Sequence, residues 1–341
     1  MDDLGARGNR RVTPPDETLT LLVLGFEGPD LPPWLADLLG RGLGGVALFA
    51  RNLVDQDQVR RLTREVRRAA RDWPPPLIAV DQEGGRVQRL RRLCPLRPPA
   101  REVGARGPEA ARETARSIAR DLRDLGCNTD FAPVLDLDTH PANPIIGDRA
   151  FGATPEDAIP PALAFLEGLR DAGIQPCGKH FPGHGHAQAD SHRELPLIEV
   201  PEEELARREL VPFQAAFRAG LDLVMTAHCL YPALDPDLPA TLSRKILGGW
   251  LRGRLGYQGC VISDDLAMKA IADHHPADVV VREGLQAGLD LLLHCGTDPE
   301  ADGLLGALVQ AATEPRIRDR VQEAVGRVLA LRCRLADPLR E

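Results

Sequence analysis

Short apolar runs alternate along the chain with stretches in which apolar residues recur every three or four positions. The runs are Leu19–Phe26, Gly45–Ala50, Leu77–Asp81, Asn128–Pro133, Pro176–Phe181, Leu223–Ala227, Cys260–Asp264 and Asp290–His294. Each is brief and nearly continuous, the pattern of parallel strands covered on both faces. Between them, Val59, Leu62, Val66 and Ala70 form the inner stripe of one helix capped by Asp55. Ala111, Ala115, Ile118, Leu122 and Leu125 form that of another. Thr154-Pro155 followed by Asp157 marks a third helix start: a capping hydroxyl, a proline with no N–H to satisfy, and an acid at the positive end of the helix dipole. Gly126, Gly173, Gly220, Gly256 and Gly288 each close a helix shortly before a strand.

Eight such repeats imply an α/β fold, wound either as a closed barrel or as an open sheet. No GxGxxG follows a strand and opens a helix, and Gly42, Gly44 and Gly45 stand before a strand, the wrong side for a dinucleotide loop. The pattern therefore predicts a (β/α)8 TIM barrel, for which 341 residues is an ordinary length. A single domain is expected over residues 13–335, with a disordered N-terminus at 1–12 and a tail at 336–341.

In such a barrel the chemistry sits where the strands end. Polar residues occur at those ends repeatedly: Asp81, Asp130, Lys179-His180, His228, Asp264-Asp265 and His294. Lysine appears only three times in the chain, so Lys179 at a strand mouth reads as a position that requires a compact ammonium. Four of the nine histidines crowd into KHFPGHGHAQADSH (179–192). The segment can serve as a metal set of His180, His184, His186, Asp190 and His192, or as acid/base machinery in which Asp190 orients His192. It lacks the i,i+4 pair of a helical zinc motif. A carboxylate beside an imidazole steadies the ring and raises its pKa.

Composition then excludes several classes. The net charge of −8, without aromatic-plus-basic stripes, argues against nucleic acid. Seven scattered cysteines, with no CxxC, read as reduced and mostly buried thiols. No apolar run approaches the roughly 20 residues that span a bilayer, so no membrane attachment is expected and the compartment is read as cytoplasmic.

VDQEGGRVQRL (80–90), NPIIGDRAFG (143–152), KHFPGHGHAQADSH (179–192), LVMTAHCLYPALDP (223–236) and VISDDLAMKA (261–270) together resemble glycoside hydrolase family 3. More narrowly they resemble its single-domain bacterial β-N-acetylglucosaminidases of cell-wall recycling. That resemblance implies Asp264 as nucleophile, His192 as acid/base supported by Asp190, and Asp81, Arg89, Arg149, Lys179 and His180 as binders of the sugar. It implies a covalent glycosyl-enzyme intermediate, net retention, no cofactor and no metal. The expected substrate is a small carbohydrate or muropeptide, and the expected state a monomer. A phosphorylase of the same sugar, a β-glucosidase-type enzyme, a metal-dependent hydrolase and a catalytically dead sugar binder are the alternatives.

Overall fold

A computed structural model describes residues 16–140, 143–188, 191, 194–296 and 303–335. Eight parallel strand positions run in chain order: β1 (Leu22–Leu24), β2 (Gly45–Leu48), β3 (Leu77–Val80), β4 (Thr129–Asp130), β5 (Gln175–Pro176, resumed as Gly178–Phe181), β6 (Leu223–Thr226), β7 (Cys260–Ile262) and β8 (Leu292–His294). A continuous ladder joins β8-β1-β2-β3-β4-β5, and a second joins the rest of β5 to β6 and β7. The remaining gap is bridged between Ile262 and Leu291. Backbone bonds from Asp290 and Leu291 to Val261 O and from Ser263 to Leu291 O reinforce that bridge. The ring is closed, and the chain is a TIM barrel.

A helix follows every strand: α1 (Pro33–Gly40), α2 (Gln56–Ala69), α3 (Pro108–Asp124), α4 (Pro155–Asp171), α5 (Leu210–Arg218), α6 (Lys245–Arg254, wound wide as a π-helix), α7 (Ala277–Ala287) and α8 (Leu304–Thr313). A last helix, α9 (Arg318–Arg332), completes the shell. The local signals work as the residues require. Asp55 accepts from Gln58 N at 2.8 Å and Thr154 from Asp157 N at 3.3 Å, so both helices start where a side-chain oxygen satisfies an orphan N–H. The five helix-closing glycines all take positive φ. Strand lumen and helix stripes merge in one hydrophobic cluster running from Leu19 to Leu335.

Except for β5, the observed strands are one to three residues shorter than the apolar runs at one or both ends. At the C-terminal ends, the residues beyond β3 and β7 include Asp81 and Asp264, which line the rim. After β3 the chain adds an antiparallel hairpin, Gln82–Gly84 against Val87–Gln88, that the run-length reading did not separate. Its turn needs Gly84 and Gly85, at φ 103° and 57°. No helix of the described residues is long and apolar enough to cross a membrane. The expected disorder at 1–12 and the tail at 336–341 lie outside the described residues. All seven cysteines are free, five of them buried.

Candidate active site

A cleft of about 160 Å³ opens at the C-terminal rim of the strands. One wall begins with Asp81, just past β3. Two residues on, Glu83 lies on the same side of the extended chain, as alternation demands. Between the two carboxylates sits Lys179 of β5, with Nζ 2.7 Å from Asp81 Oδ1 and 2.6 Å from Glu83 Oε1. The lysine is 2 % exposed, a buried counter-ion and no incidental surface charge. Arg149, from the β4–α4 loop, lays its guanidinium fork on Glu83 with two bonds of 2.8 Å. Arg89, at the end of the hairpin, reaches Asp81 Oδ2 at 3.3 Å.

Two carboxylates meet three cations here, so each buried charge is paired. Burial pushes the Asp81 carboxyl up, but Lys179, Arg89 and Arg149 outweigh it and hold the group well below the usual range. Burial pulls the Lys179 ammonium down, and Asp81 and Glu83 more than restore it. Asp130 differs from its neighbours. One of its oxygens accepts from Gln82 N at 3.0 Å and the other, buried, has no partner. Burial raises its carboxyl well above the usual range, with only partial relief from the Gln82 N–H and Lys179.

The opposite wall carries the adjacent acids after β7. Asp264 lines the cleft and accepts from Asp265 N at 2.8 Å. Asp265 turns its Oδ1 back to the N–H groups of Ala267 and Cys295, 2.9 and 2.8 Å away, and so anchors its own loop. Alternation therefore separates the two roles. Burial raises the Asp264 carboxyl, yet His180, His228, the Asp265 N–H and Lys179 together bring it below its ordinary value. It stands ready as a carboxylate.

The floor is held by Asp136. Its oxygens accept from His180 N (3.1 Å), His184 N (2.8 Å) and His180 Nδ1 (2.6 Å). With Nδ1 committed, His180 offers its other nitrogen to the cleft it lines. His228 stands behind Asp264, its Nδ1 2.7 Å from Thr241 Oγ1 and its Nε2 donating to Asp265 O at 3.0 Å.

The rim reading thus holds for Asp81, Lys179, His180, Asp264 and Asp265, with Asp130 and His228 buried just behind. His294 departs from it. It lines a separate pocket of about 250 Å³ with His275 and Leu304, because alternation turns its neighbours Leu293 and Cys295 to the cleft and His294 to the other side. Asp190 and His192 lie outside the described residues, although Ser191 between them is described and lines the cleft. Among the described residues no group of three or more His, Cys, Asp or Glu could hold a metal ion. Glu83 and Asp136 were not singled out from the sequence. The first was legible as the alternation partner of Asp81; the second sits in irregular backbone, where only His180's need for an orienting group could have pointed to it.

Residues 34–331 match the glycosyl hydrolase family 3 N terminal domain. The chain belongs to glycosyl hydrolase family 3. This glycoside hydrolase is 44% identical over 273 residues to a curated beta-hexosaminidase of Thiobacillus denitrificans, covering 78% of the present chain and 75% of that one. Among solved structures it is similar to a family 3 beta-N-acetylglucosaminidase of Paenibacillus, with a TM-score of 0.90 and 40% identity over 95% of its own length and 62% of that chain. It thus spans under two thirds of that neighbour. A beta-N-acetylhexosaminidase of Beutenbergia cavernae matches over nearly its whole length: 95% of the present chain and 99% of the other, at a TM-score of 0.86 and 30% identity.

Proposed function

We propose that this family 3 hydrolase removes terminal, non-reducing β-linked N-acetylglucosamine with net retention of configuration. The reading rests above all on Asp264, an ionised carboxylate at a strand mouth facing the Asp81–Lys179–His180 wall. The beta-hexosaminidase and beta-N-acetylglucosaminidase relatives supply the sugar. In the first step an oxygen of Asp264 attacks the anomeric carbon. The bond to the aglycone oxygen breaks, and that oxygen leaves with the electron pair and a proton from the His192 imidazolium. In the second step His192 takes a proton from water, whose oxygen displaces Asp264 and returns the β-configured sugar. Asp190 orients the imidazole. Asp81, Arg89, Arg149, Lys179 and His180 hold the sugar's hydroxyl groups, with Glu83 fixing Arg149 and Lys179 from below. A muropeptide fragment is the proposed substrate, the cytoplasm the proposed compartment, and the monomer the proposed state.

Asp264→Asn is expected to lower kcat on p-nitrophenyl β-N-acetylglucosaminide by about a thousandfold or more, while 5-fluoro-N-acetylglucosaminyl fluoride labels the wild-type peptide that contains Asp264. The product should appear first as the β-anomer by NMR, at a rate independent of phosphate. Activity of the variant within tenfold of wild type would remove Asp264 from the mechanism.

A further inference from the structure

Ser191 joins two loops that the proposed reaction needs together. It is 2 % exposed, and its backbone carbonyl accepts at 3.3 Å from the N–H of Ala270, in the short helix Lys269–Ala272 of the segment that follows Asp264. Its Oγ lies 3.2 Å from His184 Nε2, on the loop that follows β5. His184 is itself held on every side. Its N–H donates to Asp136 Oδ1 at 2.8 Å, its carbonyl accepts from Asn143 Nδ2 at 3.0 Å, and its ring packs edge-on to His180 with centroids 5.7 Å apart. Asn143 Oδ1 in turn accepts from Ile145 N and Ile146 N, both at 2.8 Å, tying the assembly to the loop that carries Arg149.

The tautomer follows from the environment. His184 Nδ1 is buried and has no partner. An unpartnered buried N–H is costlier than an unpartnered lone pair, so the proton sits on Nε2 and donates to Ser191 Oγ. Adding a second proton would create that orphan N–H. In keeping with this, burial and the nearby His180 lower the ring's pKa to about 4. A histidine that only filled the core would not spend its one ring N–H on the serine through which its loop meets the segment after Asp264.

We propose that His184 and Ser191 form a clamp that positions the acid/base group, fixing the chain between Asp190 and His192 against the loop of the nucleophile. The inference rests on the acid/base reading of His192. Neither clamp residue transfers a proton; both act through the neighbours of Ser191 in sequence.

The test uses aryl β-N-acetylglucosaminides whose leaving groups range from phenol, which needs protonation, to 2,4-dinitrophenol, which does not. Ser191→Ala and His184→Leu are expected to lose about tenfold or more in kcat/KM on the phenyl substrate and less than about threefold on the dinitrophenyl one. His184→Gln, whose amide can reach Ser191 Oγ from a similar position, should recover most of the loss. In a His192→Ala background, Ser191→Ala should cause no further loss, since nothing is left to position. Equal losses across leaving groups, persistence of the Ser191→Ala loss in the His192→Ala background, or no effect of Ser191→Ala would each overturn the clamp. Melting temperatures of all variants separate misfolding from mispositioning. A His192→Ala single variant insensitive to leaving group would overturn the acid/base reading and the clamp with it, in an experiment that involves no clamp variant.

Discussion

Asp130 sits among charges, yet its burial works against the ionised form. Its unpartnered oxygen and its depth raise the carboxyl well above its ordinary pKa, so the folded protein holds this proton to a higher pH than the unfolded chain does. A folded-state pKa above the unfolded one gives a stabilising contribution at pH below the unfolded value, lost as pH rises through the folded value. Asp130→Asn, which preserves the acceptor for Gln82 N, is therefore expected to raise the melting temperature at pH 7 by about 2 °C or more, an advantage that shrinks toward pH 4 in calorimetry. An unchanged or lower value at pH 7 would mean that the fold does not raise this carboxyl's pKa. Residues of this kind mark the limit of what a sequence discloses. Asp264 and Lys179 were legible because a charge ending an apolar run has few structural uses. Whether Asp130 is charged depends on the depth of the lumen and on Gln82, 48 positions away, and no local pattern encodes either.

At the scale of elements, strands and helices were readable because the barrel imposes one rhythm eight times, and helix-closing glycines punctuate it. The hairpin after β3 and the interruption of β5 were not, since both arise from register. Cys177, at the break in β5, donates to both Asp130 O and Ala132 O, which no run of apolar residues could foretell. The loop after β5 owes its course to a close approach. A Cβ on Gly185 would fall 1.5 Å from Leu137 O, and one on Gly183, at φ 131°, would meet Glu209 Cβ at 2.9 Å. Gly185→Ala must push the loop off the β4 side. It is expected to destabilise by about 2 kcal/mol or more and, at temperatures where the variant is folded, to reduce turnover of the phenyl glycoside more than that of the dinitrophenyl one. Urea unfolding and the two assays check this together.

For the whole molecule, stability and chemistry lie at opposite ends of the barrel. Asp290, fully buried just before β8, accepts from Arg252 at 2.7 Å, Arg320 at 2.6 Å and Val261 N at 2.9 Å, with Arg327 3.4 Å away. It binds the outer helices α6 and α9 to the β7–β8 seam. Asp290→Ala would leave these arginines without their shared carboxylate and is expected to cost about 3–5 kcal/mol of stability in urea unfolding, with KM unchanged. A shifted KM with intact stability would mean that the cluster communicates with the cleft.

That seam has one further consequence. β8 pairs with β1, Leu22 against Leu292, and β7 gains its second neighbour through Asp290 and Leu291. Asp264 follows the strand on which the ring closes, and β8, which closes it, also pairs with β1 some 270 positions earlier, the kind of long-range contact that makes folding slow. A polypeptide still emerging from synthesis would leave β1 and β7 with open edges until β8 arrives between them.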